Sequence, residues 1–129
     1  MPLIPNPALQ VLDTVLTYRN HRHDVIASNV ANANTPGYRA FDLVLRGAVD
    51  GGAPLAPRRT DPRHLSFSGA EARLGFDTLA SRATPRVDGN NVSIEEEFAK
   101  LTENRMMYQT AFEIRDKLGS LSRAAREIR

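Results

Sequence analysis

Cysteine and tryptophan are both absent from this chain of 129 residues, and aromatic residues make up only 6% of it. The absence of cysteine excludes a disulfide framework, a thiolate metal site and a cysteine nucleophile. The formal net charge is only +2, which is weak support for nucleic-acid binding, since that usually needs a dense basic patch. No apolar run reaches the roughly 18 residues of a membrane-spanning helix. We therefore expect no transmembrane segment.

The first ten residues, MPLIPNPALQ, lack the features of a secretory signal peptide. They have no basic start, and three prolines interrupt what would be the apolar core. We therefore expect no cleaved signal peptide. If the protein leaves the cytoplasm, its export route must recognise a different feature.

The N-terminal part of the chain has the period of an amphipathic helix from about Pro7 to Ala33. Positions of one face recur there in alternating steps of three and four, which is heptad spacing. A second row lies one residue earlier, so the apolar face is wide enough to contact more than one neighbouring helix. We predict that helix packing and assembly in this segment use Leu9, Leu12, Leu16, Ile26 and Val30.

A second, longer helix is predicted over the last part of the chain. Ser93 and Glu96 fit a capping box at its start, and the acidic residues 95–97 lie where the helix dipole favours negative charge. We expect Lys100 to pair with Glu96, one helical turn away. Two adjoining apolar rows are predicted to serve packing and assembly: Ile94, Phe98, Leu101, Tyr108 and Phe112 in one, and Ile114, Leu118 and Leu121 in the other.

The segment between the helices is rich in proline and glycine and has no strong periodicity. Short apolar pieces at 41–45, 64–67 and 73–79 are candidate strands. The sequence thus predicts a mainly α chain in three parts. These are an N-terminal helix in 1–34, a turn and irregular middle in 35–91 that is not an independent domain, and a C-terminal helix in 92–129. Two wide apolar faces cannot be buried in one hairpin, so the pattern indicates assembly.

Side chains that could act in catalysis or bind a metal form no recognisable catalytic or metal-binding arrangement. His21 and His23 are two positions apart on a helix and point in nearly opposite directions, so they cannot share one ion. The acidic run 95–97 diverges around the helix, whereas acid–base catalysis needs converging carboxylates. No Gly-rich phosphate loop, nucleophile elbow or zinc-protease motif occurs. We expect no enzyme activity, no catalytic residue, no metal and no cofactor.

The residues after the first helix form a strong stop signal. Pro36 disfavours helical geometry at Thr35, so the helix should end by about Asn34. Asn32 or Asn34 would either adopt the left-handed conformation there or bond to free carbonyl groups. Residues 35–38 fit a type II turn in which Gly37 supplies a positive φ. Tyr38 would then anchor the exiting chain to the helix or to a neighbour.

This stretch, SNVANANTPGYRAFD at 28–42, resembles the signature of bacterial flagellar rod and hook proteins. Three further segments favour a proximal rod protein within that family: TDPRHL at 60–65, VDGNNVSIEEE at 87–97 and ENRMMYQ at 103–109. The signature residues in this chain are Asn29, Ala31, Asn32, Asn34, Thr35, Pro36, Gly37 and Tyr38.

The resemblance implies a structural subunit of the flagellar basal-body proximal rod. Its terminal helices would pack as an antiparallel coiled-coil-like pair, and copies would assemble helically with one another and with other rod proteins. The implied partners also include the membrane-ring adaptor and the export gate. The rod would lie in the periplasm, transmit torque and surround the type III export channel, which would carry the chain out without a cleaved signal peptide.

Three alternatives stand beside this hypothesis. The chain could be another short rod protein of the same family, although the segments at 87–97 and 103–109 argue against that. It could be a soluble helical adaptor or chaperone, but such a protein would not need the Pro- and Gly-rich middle. A small nucleic-acid-binding module would use Arg58, Arg59 and Arg63. Asp61 interrupts that cluster and no aromatic residue supplies a stacking surface, so we expect no nucleic-acid partner.

Overall fold

The computed structural model describes residues 6–46 and 75–127. Along the chain it contains helix α1 (Pro7–Ala31), strand β1 (Phe41–Arg46), strand β2 (Gly75–Ala80) and helix α2 (Ile94–Glu127). The predicted class is confirmed: two long helices flank a middle that contains short strands. The candidate strand at 64–67 and the arginine cluster at 58–63 lie outside the described residues. Within the described ranges, no helix is both long and apolar enough to cross a membrane.

Helix α1 begins and ends at residues that satisfy its free backbone groups. The side chain of Asn6 accepts a hydrogen bond from the Ala8 N–H at 3.0 Å, and proline occupies the first helical position, where no N–H is needed. The helix ends at Ala31, two residues before the predicted end. Asn32 follows with φ −101° and ψ 14°, so the predicted left-handed conformation of Asn32 is wrong. Its side-chain amide instead donates to the Ser28 carbonyl at 2.8 Å, which confirms the hydrogen-bonding alternative.

The two helices pack antiparallel. Polar contacts mark their register, because Asp13 near the start of α1 bonds to Arg115 and Asn29 near its end bonds to Glu97. Midway, the Asn104 side chain donates to the Arg19 carbonyl at 2.8 Å. The buried or half-buried residues of α2 are Glu97, Lys100, Leu101, Asn104, Tyr108, Ala111, Leu118, Gly119 and Ser122. Six of these nine are polar or small, so the helix pair buries little apolar surface.

Strands β1 and β2 form a two-stranded antiparallel ribbon in which Phe41 pairs with Ala80 and Arg46 with Gly75. This confirms strands at two of the three predicted positions, so the middle is less irregular than the sequence suggested. The ribbon lies against α1, since the Tyr18 hydroxyl donates to the Leu43 carbonyl at 2.8 Å.

An ion pair fixes the ribbon to α1 more firmly. The Arg22 guanidinium donates two hydrogen bonds of 2.9 Å to the Asp42 carboxylate. Burial opposes ionisation of Asp42, but the hydrogen bonds and positive charge of Arg22 outweigh it and lower the pKa of Asp42 below its ordinary value. A two-pronged bond of this kind sets orientation as well as distance. The ion pair therefore fixes the orientation of the ribbon on α1.

The Arg22–Asp42 pair makes part of the stability depend on pH. Because the folded pKa of Asp42 lies below its unfolded value of about 3.9, the pair stabilises the fold above that pH and is lost as the pH falls through the folded pKa. We predict that Asp42→Asn lowers the free energy of unfolding by about 1 to 2 kcal/mol at pH 7, and by less at about pH 3. Urea unfolding at both pH values measures the difference. Asp24→Asn, at an exposed position of α1, is the control, and an equal loss for Asp42→Asn at both pH values would contradict the prediction.

Candidate functional site

The first of two tight turns lies directly after α1. The Tyr38 N–H donates to the Thr35 carbonyl at 3.3 Å and closes the turn. Gly37, its third residue, has a φ of +73°, a conformation that costs a side-chain-bearing residue strain. Both features agree with the turn predicted from the Thr-Pro-Gly-Tyr sequence. The chain therefore reverses sharply as it leaves the helix.

A second turn precedes α2. The Arg86 N–H donates to the Asn90 carbonyl at 2.8 Å, and the Gly89 N–H donates to the Arg86 carbonyl at 2.9 Å. Gly89 has a φ of +81°, so it too occupies the left-handed region that favours glycine. This turn contains the Asp-Gly-Asn-Asn segment. The segment resembles that of proximal rod proteins, but no turn was predicted there.

The two turns dock against each other. The Gly37 N–H donates to the Asp88 carbonyl at 2.8 Å. A Cβ on Gly89 would lie 3.4 Å from the Gly37 Cα, so the two glycine backbones meet with little space between them. We call residues 32–38 and 86–92 together the turn junction. Its halves are about 50 residues apart in the sequence, and nothing in the sequence pattern predicted that they touch.

Asn90 holds the turn junction together. Its side chain is fully buried, and its amide nitrogen lies 2.9 Å from the Asn32 carbonyl, 3.1 Å from that of Ala33 and 2.8 Å from that of Thr35. An amide has two N–H hydrogens, so at least one of these bonds is shared. Its side-chain oxygen accepts the Val92 N–H at 2.8 Å. One side chain thus joins three carbonyls of the loop that follows α1, each of which also accepts a second hydrogen bond.

Asn91 connects the turn junction to the ribbon. Its side-chain oxygen accepts the Ala40 N–H at 2.6 Å, and its amide nitrogen lies 3.3 Å from the Ser81 carbonyl. These contacts hold the entry to β1 beside the exit from β2. The small apolar cluster next to them consists of Ala33, Ala40 and Val92, with the half-buried Tyr38 ring packed against it.

A buried Asn–Glu pair joins the same region to α2. The Asn29 amide nitrogen donates to the Phe41 carbonyl at 2.8 Å and to the Glu97 carboxylate at 2.9 Å. Its oxygen accepts from the Tyr38 hydroxyl at 3.2 Å, so the aromatic anchor does fold back onto the helix. Glu97 is only 2% exposed, and Lys100 contacts it at 2.7 Å. A buried carboxylate requires such partners.

The pairing of Lys100 corrects the sequence prediction. Lys100 was expected to pair with Glu96, but it bonds to Glu97. Successive residues on a helix are rotated by about 100°. Glu97 therefore faces α1, whereas Glu95 and Glu96 are exposed. At the helix start, the Glu96 N–H reaches the Ser93 hydroxyl at 3.4 Å, so the first half of the capping box is present. The sequence-based prediction attributed all three acidic residues, 95–97, to the helix dipole. It therefore missed the structural role of Glu97.

The structure places the signature residues in two groups. Asn29 is buried, and Asn32 and Tyr38 are half-buried; these three make the contacts described above. The other signature residues are exposed: Ala31, Asn34, Thr35, Pro36 and Gly37. The exposed group still shapes the turn through its backbone.

The predicted packing residues also fall into two groups, one buried or half-buried and one exposed. Ile26 is buried, and Leu9, Leu12, Leu16, Val30, Leu101, Tyr108 and Leu118 are half-buried. Five of the predicted packing residues on α2 are exposed despite their size: Ile94, Phe98, Phe112, Ile114 and Leu121. The helix pair therefore leaves much of the predicted apolar surface uncovered. In the part of the chain that the structure describes, no three His, Asp or Glu side chains converge as a metal site would need.

Comparison with known proteins identifies the family of this chain. A family model described as "Flagella basal body rod protein" matches residues 16–39, which include the second half of α1 and the first turn. The flagellar basal body rod protein FlgB of Cereibacter sphaeroides is 37% identical over 103 residues, covering 74% of this chain and 75% of the relative. The chain belongs to the FlgB family of flagellar basal body rod proteins. Its role is therefore structural, and its place is the flagellar basal body.

Two other FlgB proteins extend the likeness over most of the chain. That of Bacillus subtilis is 31% identical over 107 residues and covers 81% of both proteins. That of Escherichia coli is 28% identical over 110 residues, covering 79% of this chain and 80% of the relative. Membership of the FlgB family implies assembly with other rod components.

Removing the Asn90 side chain tests the turn junction. Asn90→Ala removes its hydrogen bonds to the carbonyls of the loop after α1 and leaves the buried Val92 N–H without its acceptor, so we predict a loss of about 2 to 4 kcal/mol in the free energy of unfolding. Asn34→Ala is the matched control, because Asn34 belongs to the same signature but is exposed; its change should stay within about 0.5 kcal/mol. Circular dichroism during urea unfolding measures both. Similar losses for the two variants would show that the buried amide has no special role.

Proposed function

We propose that this chain is a structural subunit of the proximal rod, assembling helically with itself and with other rod proteins. The rod so formed would transmit motor torque and surround the type III export channel. The observation that carries this proposal is the set of large apolar side chains left exposed along α2. Exposed apolar rows of this length are unfavourable in water unless a neighbouring protein covers them.

We assign separate tasks to the predicted packing residues. Those that are buried or half-buried, from Leu9 to Val30 on α1 and Leu101, Tyr108 and Leu118 on α2, join the two helices of one subunit. The exposed ones face neighbouring subunits. The signature residues around Gly37 hold the angle at which the middle of the chain leaves α1. The parts 1–34, 35–91 and 92–129 then act as one unit, because the turn junction bonds the middle to both helices.

The remaining parts of the proposal concern location and partners. The rod subunit would work in the periplasm, delivered by the flagellar type III apparatus without a cleaved signal peptide. Besides other rod proteins, it would contact the membrane-ring adaptor and the export gate.

Deletion of the gene in its source bacterium tests the proposal. We expect isolated basal bodies to keep the membrane ring but to lack rod, hook and filament, because each later part is built on the rod. Electron microscopy of basal bodies, with swimming in soft agar as a second readout, measures this, and a plasmid copy of the gene is the control. Intact rods in the deletion strain would rule out the proposal and favour an adaptor or chaperone role.

A further inference from the structure

The second turn of the turn junction contains a dipeptide, Asp88-Gly89, whose backbone can rearrange without an enzyme. The backbone nitrogen that follows an aspartate can attack the side-chain carboxyl carbon; water leaves and a five-membered succinimide ring forms. Water then opens the ring at either carbonyl, which gives back aspartate or gives isoaspartate. Glycine obstructs this attack least, because it has no Cβ. The Asp88 side chain is exposed, so water reaches the reacting group.

In the folded chain, hydrogen bonds hold both reacting groups. The Gly89 N–H donates to the Arg86 carbonyl at 2.9 Å. The Asp88 carboxylate accepts the Asn90 N–H at 3.0 Å, and the Arg86 guanidinium lies 3.8 Å from the same oxygen. The Asp88 main-chain carbonyl accepts the Gly37 N–H at 2.8 Å, which fixes the peptide group between the two reacting residues. Ring closure needs a free Gly89 nitrogen and a carboxyl carbon that moves onto it, so these bonds must open first.

We propose that Asp88 is a site of isoaspartate formation and that docking of the two turns controls its rate. The closed turn junction keeps Asp88 unreacted. A chain whose two turns are apart has only the hydrogen bonds within the second turn to oppose the reaction, and short exposed turns open at little cost in free energy. The reaction uses no other reagent, because ring closure releases one water molecule and ring opening takes one up. The inference concerns one chain and does not rest on the proposed rod function.

The product of the reaction no longer fits the turn junction. In isoaspartate the main chain runs through the side-chain carbons, which adds one carbon between residues 88 and 89. The carbonyl that accepts the Gly37 N–H becomes part of a free carboxylate. There is little room for either change, since even a Cβ on Gly89 would lie 3.4 Å from the Gly37 Cα. A chain that stays undocked for long enough thus loses the ability to form the turn junction.

Peptide mapping of the purified full chain tests the control of the rate by docking. The chain is held at neutral pH with or without urea and then digested with trypsin. Peptide 87–100 contains Asp88 and no other aspartate. Chromatography separates its isoaspartyl form, which has an unchanged mass, whereas deamidation of Asn90 or Asn91 would change the mass. We expect isoaspartate to form at least about tenfold more slowly without urea.

The chain carries its own reference for the intrinsic rate, because Asp50 is also followed by glycine. In urea, both dipeptides should react at similar rates. A rate at Asp88 that is the same with and without urea would overturn the inference.

Two variants separate docking of the turns from overall stability. Asn90→Ala opens the turn junction, so we expect it to raise the rate in buffer without urea by about tenfold. Its rate in urea should equal that of the unaltered chain, which checks that the substitution leaves the intrinsic reactivity unchanged. Asp42→Asn loosens the ribbon outside the turn junction and should change the rate by less than about twofold. An equal rise in both variants would overturn the control by docking.

The isomerised chain provides a test that does not depend on any variant being able to fold. Chromatography of the aged full chain isolates the form with isoaspartate at position 88. We expect its urea midpoint to fall as far as that of Asn90→Ala, because both have lost the turn junction. A midpoint equal to that of the unreacted chain would overturn the claim that the product cannot dock. The deletion experiment on basal bodies decides the rod function separately.

Discussion

The side-chain amide of Asn90 is the contact on which the rest of the structure depends. It reaches three carbonyls at and beyond the end of α1 and so fixes the path of the chain as it leaves the helix. Gly37 and Gly89 make that approach possible, since their left-handed backbones let two turns meet without side chains between them.

Around this contact the chain forms one unit from parts that are distant in sequence. Asn91 ties the ribbon to the turn junction, Asn29 and Glu97 tie both helices to it, and Arg22 fixes the ribbon along α1. These bonds are polar and directional, while the buried apolar residues beside them are mostly small. Polar contacts of this kind set geometry more than they add stability. These contacts hold the described parts of the chain together and leave large apolar residues of α2 exposed.

Much of the local structure could be predicted from the sequence. Heptad spacing located α1 within two residues at its end, and Thr-Pro-Gly-Tyr predicted the turn because Pro and Gly restrict backbone angles locally. The contacts of Asn90 with the end of α1 could not be predicted, since an isolated asparagine carries no periodic signal and its partners lie more than 50 residues away. Likewise, periodicity marks apolar rows but cannot say which row α1 covers. The row that α1 contacts contains Glu97 and Asn104, which a search for apolar residues passes over.

Amide hydrogen exchange at Gly37 tests most directly whether the two turns dock in solution. The Gly37 N–H belongs to the first turn, yet its acceptor is the Asp88 carbonyl of the second. If the turn junction and the helices form one cooperative unit, Gly37 exchanges at about the rate of the Ile26 amide in the buried part of α1. Exchange of Gly37 at the rate of an unprotected amide, while Ile26 stays protected, would contradict this account.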